Sequence, residues 1–395
     1  MKKTLLLLLF CPVLCFSQTP TASLKKLDGS AITPREIDKI VEKLLVYGKV
    51  DGLCLSVING NKAYIKPYGY KNKETKELLD PETVLYAASF TKAVFAYLSM
   101  KLAEEKVLDL DKPLYDYLGQ SISEYPDWKP LETDENWKLI TPRMCLSHTT
   151  GLPNSRWIDV RTGTEDTLGP LKIYFKPGTR YAYSGEGLKL LQLVEEKITG
   201  KNIETLAIEK IFKPFGMTRT GFIWHPEFDS NYAIGLDENG KLMPKKKRSV
   251  PNAAGSMVTS IADYTRFIQK ILSNQGLDPK LRNEMISPQI EIRSKYQFPT
   301  ITDETTDENQ DIKLSYGLGW GVFKSKYGRA FFKEGHDDAW RHYNVNFPDK
   351  NIAIIIMTNS ANGELIFKEL LEKIIGDTFT PWQWERYVPY NYIKK

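Results

Sequence analysis

Apolar and polar positions follow two different periods along this chain. Near the N-terminus, residues 52–58 and 62–68 are strand-sized, largely apolar runs, and the Asn-Gly-Asn sequence between them predicts a β-hairpin. A helix precedes this hairpin. Thr33 followed by a proline, with Glu36 three positions after the threonine, is the pattern of a capped helix start, and the helix is expected to run to about residue 47.

The middle and the end of the chain differ in the same way. Between about residues 98 and 287 the apolar positions recur at helical spacing and are separated by long loops. Short β-rich segments divided by turns then return, and a last helix follows them. The predicted strands are residues 317–323, 330–333, 343–347 and 351–358, and the predicted helix is about residues 364–375.

Strands at both ends with helices between them predict an α+β fold. We expect one antiparallel sheet, built from the N-terminal and C-terminal segments, with an all-helical lobe inserted. The sheet lobe takes about residues 35–85 and 310–375, and the helical lobe about 90–300, within a single domain of residues 18–375. A site between the two lobes is the default expectation.

Both termini of the chain carry further signals. Residues 1–17 have two early lysines, a short apolar run and a small residue at the end, which predicts a cleavable signal peptide and a periplasmic or secreted protein. A single membrane anchor is the alternative. Residues 376–395 form an aromatic tail that docks either on the body of the protein or on a partner.

Composition narrows the class of protein. Removal of the signal peptide leaves 52 basic against 49 acidic residues, a formal charge of +3, which indicates no nucleic-acid partner. Cys54 and Cys145 lie in apolar surroundings and are expected to be buried small hydrophobes instead of a disulfide. The four histidines are scattered, so no metal site and no cofactor are predicted.

Ser89 is the first candidate for chemistry. It opens a predicted helix, and Lys92 follows on the same helical face, so that a hydroxyl stands beside an amine. An ordinary capping serine is the alternative, because the same S-x-x-K spacing also occurs at residues 23–26.

Two later residues are candidate partners of Ser89. Tyr183 lies in a short extended stretch before a helix, and its phenol can relay a proton if neighbouring cations lower its pKa. Lys333 begins a K-x-G sequence at the end of a predicted strand, where Gly335 would let a substrate backbone approach. A packing tyrosine and an edge-strand lysine are the alternatives.

Together these motifs resemble a known family. The S-x-x-K at Ser89, the Y-S-G at Tyr183 and the K-E-G at Lys333 have the order and rough spacing of serine hydrolases related to penicillin-binding proteins, class C β-lactamases and family VIII esterases. The resemblance spans about residues 40–375. Flanking sequences that also match lie at residues 146–153, 254–260, 316–321 and 347–360.

The resemblance implies a β-lactamase/transpeptidase-like fold of three layers (α/β/α) and an acyl-enzyme mechanism. Ser89 is the implied nucleophile, Lys92 the general base and Tyr183 the proton shuttle. The implied oxyanion donors are the backbone N–H groups of Ser89 and His336. Lys333 is implied to tune Tyr183 and to pair with a substrate carboxylate.

Two departures from the family pattern concern the substrate. Gly185 stands where the motif is often Y-x-N, and a glycine cannot supply the amide that would bind the lysine or a substrate amide. Residues 334–340 bring acidic and bulky side chains to a place where many relatives have small ones, which is expected to narrow the groove or repel an anionic substrate.

We therefore predict a secreted or periplasmic serine hydrolase that forms an acyl-enzyme on Ser89 and hydrolyses a small-molecule or peptide ester or amide. Carboxylesterase or D-amino-acid peptidase activity is favoured over β-lactam hydrolysis. One alternative is a catalytically weak, penicillin-binding-like module that senses or binds a ligand in the same pocket. A structural protein, in which Lys92 does not face Ser89, is another. The sequence does not indicate the oligomeric state.

Overall fold

The computed structural model describes residues 23–159, residue 164 and residues 170–392. The predicted signal peptide lies outside the described residues, as do the last three residues of the tail. Within the described residues, no helix has the length and apolar character needed to cross a bilayer.

The first helix begins at the capping residues that the sequence predicts. Thr33 Oγ1 accepts a hydrogen bond from the Glu36 N–H (3.2 Å), and Glu36 Oε2 accepts one from the Thr33 N–H (2.8 Å). The described α-helices are α1 Pro34–Gly48, α2 Phe90–Glu104, α3 Tyr115–Leu118, α4 Pro142–Leu146, α5 Gly185–Thr199, α6 Ile203–Ala207, α7 Lys213–Phe215, α8 Ile261–Leu272, α9 Pro279–Met285 and α10 Phe367–Leu370, with π-helical turns at Ile208–Phe212 and Leu371–Ile375.

The strands meet in one large antiparallel sheet. Among the described residues it has nine strands, in the order β5-β4-β3-β13-β12-β11-β10-β9-β8. Because β3 pairs directly with β13, the two ends of the chain close the same sheet, as predicted. The strands are β1 Leu24–Lys25, β2 Ala31–Ile32, β3 Gly52–Asn59, β4 Lys62–Asn72, β5 Glu77–Leu78, β6 Val84–Tyr86, β7 Val258–Ser260, β8 Ile290–Glu291, β9 Ser315–Tyr316, β10 Gly321–Ser325, β11 Gly328–Asp337, β12 Trp340–Phe347 and β13 Ile352–Thr358.

The sheet lies between two apolar layers. Successive side chains of a strand point to opposite faces, and in β13 the side chain of Ile354 enters the layer that contains α1, whereas Ile355 enters the layer that contains α2. Both faces are covered, so the central strands are apolar throughout instead of alternating. This confirms the α+β, three-layer fold class. Cys54 and Cys145 are both buried and free, as predicted.

The helical lobe enters between β6 and β7. These two strands pair antiparallel, with Leu85 opposite Thr259, and α2 begins shortly after β6. Nearly every side chain of α2 is buried, because the helix runs between the sheet and the other helices. A helix that is apolar on all sides is typical of such a position, and it carries Lys92 into the interior.

The aromatic tail packs on the body of the protein. Trp384 and Tyr387 are buried in the same apolar layer as α1. The Trp384 carbonyl accepts a hydrogen bond from the Gln297 N–H (3.0 Å), and the rings of Trp384 and Tyr181 have centroids 6.0 Å apart. The tail therefore lies against the segment that leads into Tyr183.

We expect Trp384→Ala to lower the free energy of unfolding by about 3–5 kcal/mol, because it removes a large buried side chain. The matched variant Trp382→Ala removes a half-buried ring two positions earlier and should cost about 1 kcal/mol. Urea unfolding measures both. Equal losses in the two variants would show that the packing of the tail contributes nothing specific.

Candidate active site

Ser89 lies directly before the first residue of α2, with its side chain half-exposed. Its side chain makes no capping hydrogen bond, so the alternative of an ordinary capping serine is wrong. Ala88 before it has a φ of +47°, a left-handed conformation that is uncommon for a residue with a side chain. Such strain concentrates at functional sites, where it sets the direction of a neighbouring group.

Lys92 faces Ser89 from the interior. Its Nζ atom donates to Ser89 Oγ (3.1 Å) and to the carbonyl oxygen of Ala254 (2.5 Å). Burial, and after it the positive charge of Lys333, lower the pKa of Lys92 to about 7. The alternative of a structural protein required that Lys92 does not face Ser89. The structure contradicts this alternative, because Lys92 faces Ser89.

Tyr183 stands between the two lysines. Its hydroxyl accepts a hydrogen bond from Lys333 Nζ (3.0 Å), and the Nζ atoms of Lys92 and Lys333 each lie 4.9 Å from the centre of its ring. Burial nevertheless raises the pKa of Tyr183 well above its ordinary value, and the negative charge of Glu334 adds to this effect. The condition that neighbouring cations lower this pKa is therefore not met, because desolvation of a buried phenolate is the largest effect.

The ring of His148 packs against the ring of Tyr183. The two rings have centroids 4.4 Å apart, and His148 Nδ1 accepts a hydrogen bond from the Ser184 N–H (3.2 Å). Burial holds the pKa of His148 well below its ordinary value, and the nearby Lys333 and Lys92 charges act in the same direction. His148 is therefore neutral and fixes the tyrosine by packing. In the sequence, His148 belongs to one of the flanking sequences that match the family, but nothing there predicts its contact with Tyr183.

Lys333 and Glu334 form a buried ion pair. Lys333 Nζ lies 2.7 Å from Glu334 Oε1, and the two side chains are 0% and 5% exposed. Gln297 Nε2 donates to the same carboxylate oxygen (3.1 Å). Burial alone would raise the pKa of Glu334, but the Lys333 ammonium holds it below its ordinary value. The expectation that this acid lines the groove is wrong for Glu334, which points into the interior.

The K-E-G sequence lies within β11 and does not end it. β11 runs to Asp337 and pairs with β12 throughout this region, so Lys333 is on an interior strand. On the other edge of β11, however, the pairing with β10 ends at Phe332. A Cβ atom at Gly335 would stand 3.1 Å from the Ala87 carbonyl oxygen, so this edge approaches the turn before Ser89. His336 follows on the same edge.

Gly185 has no room for a side chain. A Cβ atom there would collide with the Asn154 carbonyl oxygen and stand 3.1 Å from Asn154 Oδ1 and 3.3 Å from Ala254 Cβ. The side chain of Asn154 thus borders the space where an asparagine at position 185 would begin. The Ala254 carbonyl in the same wall accepts from Lys92. No motif in the sequence pointed to Asn154.

No group of three or more His, Cys, Asp or Glu side chains in the part of the chain that the structure describes is arranged to hold a metal ion. Two of these side chains that are adjacent in sequence, His336 and Asp337, have different partners. His336 Nδ1 lies 3.3 Å from a Glu364 oxygen, and Asp337 pairs with Lys246.

The chain is similar in sequence to known proteins. The profile of a family described as Beta-lactamase matches residues 37–374. Protein flp of Staphylococcus aureus (strain N315) is 25% identical over 350 residues, which cover 85% of this chain and 64% of that protein. The chain thus spans less than two thirds of the length of flp. D-alanyl-D-alanine-carboxypeptidase/endopeptidase AmpH of Escherichia coli (strain K12) is 25% identical over 370 residues, covering 89% of this chain and 91% of AmpH.

Solved structures share the fold. The octameric penicillin-binding protein homologue from Pyrococcus abyssi superposes with a TM-score of 0.68 at 22% identity, covering 86% of this chain and 79% of that one. D-alanine carboxypeptidase AmpC from Burkholderia cenocepacia gives a TM-score of 0.64 at 19% identity, covering 82% and 93%. These likenesses confirm the predicted β-lactamase/transpeptidase-like fold.

We expect Gly185→Ala to lower the free energy of unfolding by about 1–3 kcal/mol, because the added methyl group must displace the Asn154 backbone. Gly255→Ala is the matched control, since a Cβ atom there meets nothing closer than 3.7 Å and the change should stay within about 0.5 kcal/mol. Thermal or urea unfolding compares the two. If Gly185→Ala is as stable as the wild type, the wall around position 185 is not rigid.

Proposed function

The chain belongs to the Beta-lactamase family, and we propose that it is a serine hydrolase whose acyl-enzyme forms on Ser89. The observation that carries this proposal is the contact between Lys92 Nζ and Ser89 Oγ at 3.1 Å, made by a buried lysine with a pKa of about 7. A lysine that is half neutral near pH 7 can act as a general base, whereas an ordinary lysine cannot.

In the proposed acylation step, neutral Lys92 takes the proton of the Ser89 hydroxyl. Ser89 Oγ bonds to the carbonyl carbon of the substrate, and a tetrahedral oxyanion forms. When the bond to the leaving group breaks, the leaving group receives the proton from Lys92 through the Tyr183 hydroxyl. The high pKa of Tyr183 suits this role, because the phenol stays protonated and passes a proton on without holding a charge.

Backbone N–H groups of Ser89 and His336 are proposed to bind the oxyanion. The approach of β11 to the turn before Ser89 supports this assignment, because it brings the start of a helix and an unpaired strand edge together. In the second step water attacks the acyl carbon, and the bond between that carbon and Ser89 Oγ breaks. The hydroxyl group of the water leaves with the acyl product as an acid, and the remaining proton of the water returns to Ser89 Oγ through Lys92 and Tyr183.

We propose that the substrate is an ester, amide or peptide. The name of AmpH, a D-alanyl-D-alanine-carboxypeptidase/endopeptidase, supports a peptide of D-amino acids as one candidate. Secretion or a periplasmic location is proposed on the composition of residues 1–17. We also propose that residues 18–375 act as one hydrolase domain, with the tail docked on it.

Ser89→Ala should abolish both labelling by a fluorescent fluorophosphonate and hydrolysis of p-nitrophenyl acetate, because it removes the attacking oxygen. Ser99→Ala is the matched control: Ser99 is buried in the same helix and donates to the Phe95 carbonyl (3.1 Å). It should be labelled and active like the wild type. Equal labelling of Ser89→Ala would overturn the proposal, and labelling of the wild type without turnover would favour the binding module.

We expect kcat/KM for a neutral ester to rise with pH and to level off above an apparent pKa of about 7. Below that pH Lys92 is protonated and cannot accept the serine proton, so activity falls as pH falls. The measurement is a profile from pH 5.5 to 9 at constant ionic strength, with circular dichroism as a check of folding. A profile that is flat across pH 7 would contradict Lys92 as the base.

A further inference from the structure

Lys333 already has an internal counter-ion. Its ammonium group is fully buried and donates to Glu334 Oε1 (2.7 Å) and to the Tyr183 hydroxyl (3.0 Å). Gln297 holds the same Glu334 oxygen from the other side (3.1 Å). A lysine has three donors, and two of those on Lys333 are used within the protein.

A substrate carboxylate would have to compete with Glu334 for this charge. Glu334 is covalently fixed beside Lys333, whereas a ligand loses translational and rotational freedom when it binds. Displacing Glu334 would leave a buried carboxylate without a counter-ion, which is strongly unfavourable. If Glu334 stayed in place, the ligand would bring a second negative charge next to it.

A neighbouring acid supports this charge balance. Glu385 of the tail is buried, and its carboxylate accepts a hydrogen bond from the Tyr343 hydroxyl (2.9 Å). Burial raises the pKa of Glu385 well above its ordinary value, and the negative charge of Glu334 raises it further. The positive charge of Lys333 is thus paired with Glu334, and Glu385 is a second buried acid in the same region whose pKa is raised.

Two further cations, Lys189 and Arg156, share the carboxylate of Glu186. Lys189 lies 2.8 Å from Glu186 Oε1, and Arg156 lies 2.5 Å from Glu186 Oε2. Lys92 is directed to Ser89 and to the Ala254 carbonyl.

We propose that Glu334 keeps Lys333 as an internal ion pair, and that the enzyme consequently acts on esters or amides whose leaving group carries no free carboxylate. This inference rests on the proposed function, because it assigns a substrate class to that same site. It departs from the role that the family resemblance implied for Lys333. Glu334 is a specificity-determining residue in this proposal and takes no part in the bond-breaking steps.

The first test needs only the wild-type protein. O-acetyl-lactate and O-acetyl-lactamide of the same configuration share the acyl group and the scissile bond, and differ only in a carboxylate or a carboxamide on the leaving group. We expect kcat/KM for the lactamide ester to equal or exceed that for the lactate ester, by up to about tenfold. A preference for the lactate ester would overturn the proposal.

The second test exchanges the internal counter-ion. Glu334→Gln keeps the shape and removes the charge, so the ratio of the two kcat/KM values should move toward the lactate ester by on the order of tenfold. Glu385→Gln removes a buried carboxyl of the same region and should leave the ratio within about twofold. An unchanged ratio in Glu334→Gln would contradict the proposal. If that variant does not fold, the wild-type preference still decides.

Failure of this inference is separable from failure of the proposed function. Hydrolysis of p-nitrophenyl acetate, compared with Ser89→Ala, reports on the nucleophile alone. If neither lactate compound is turned over, both are measured as competitive inhibitors of that reaction, and the ratio of their inhibition constants replaces the ratio of kcat/KM. Tighter inhibition by the carboxylate compound would again count against the inference.

Discussion

The burial of the Lys92 amine is the constraint on which the rest of the site depends. An ammonium group in the interior is costly unless it is paired with a charge, and the oxygens to which Lys92 donates, those of Ser89 and Ala254, are neutral. Its pKa therefore falls to about 7. The same desolvation also keeps the Tyr183 phenol protonated, so burial shifts the pKa values of the lysine and the tyrosine in opposite directions.

Each lobe contributes a part of this pocket that the other lacks. The helical lobe supplies Ser89 and Lys92 on α2, and the sheet supplies Lys333 on β11. His342 on β12 fixes the two together: its Nε2 atom donates to the Tyr86 carbonyl (2.8 Å), and its Nδ1 atom accepts from the Thr358 N–H (3.2 Å). Burial lowers the pKa of His342 to about 4, so this link stays neutral at ordinary pH.

Burial explains why the environments of Glu334 and Tyr183 differ from what the sequence predicts. The pattern around Glu334 shows an acid beside a glycine, and an acid in a loop or at a strand end is normally exposed. In the fold, β11 continues past Glu334, and the side chains of Lys333 and Glu334 are both buried. The acid therefore becomes the buried counter-ion of the lysine. Likewise, the two lysines near Tyr183 were expected to lower its pKa, but the depth of burial that outweighs them is not a property of local sequence.

The sequence by itself determined the fold class, the helix start at Thr33 and the family, because capping residues, hydrophobic period and ordered motifs are local signals. It also singled out Ser89, Lys92, Tyr183 and Lys333 as candidates. Only the tertiary structure decided what surrounds these groups: the carbonyl that holds Lys92, the backbone of Asn154 that fills the space at position 185, and the carboxylate that already occupies Lys333. Ala254 and Asn154 lie far along the chain from Lys92 and Gly185, and Glu334, although adjacent to Lys333, is buried beside it by the packing of the fold. No local pattern encodes these distances or this burial.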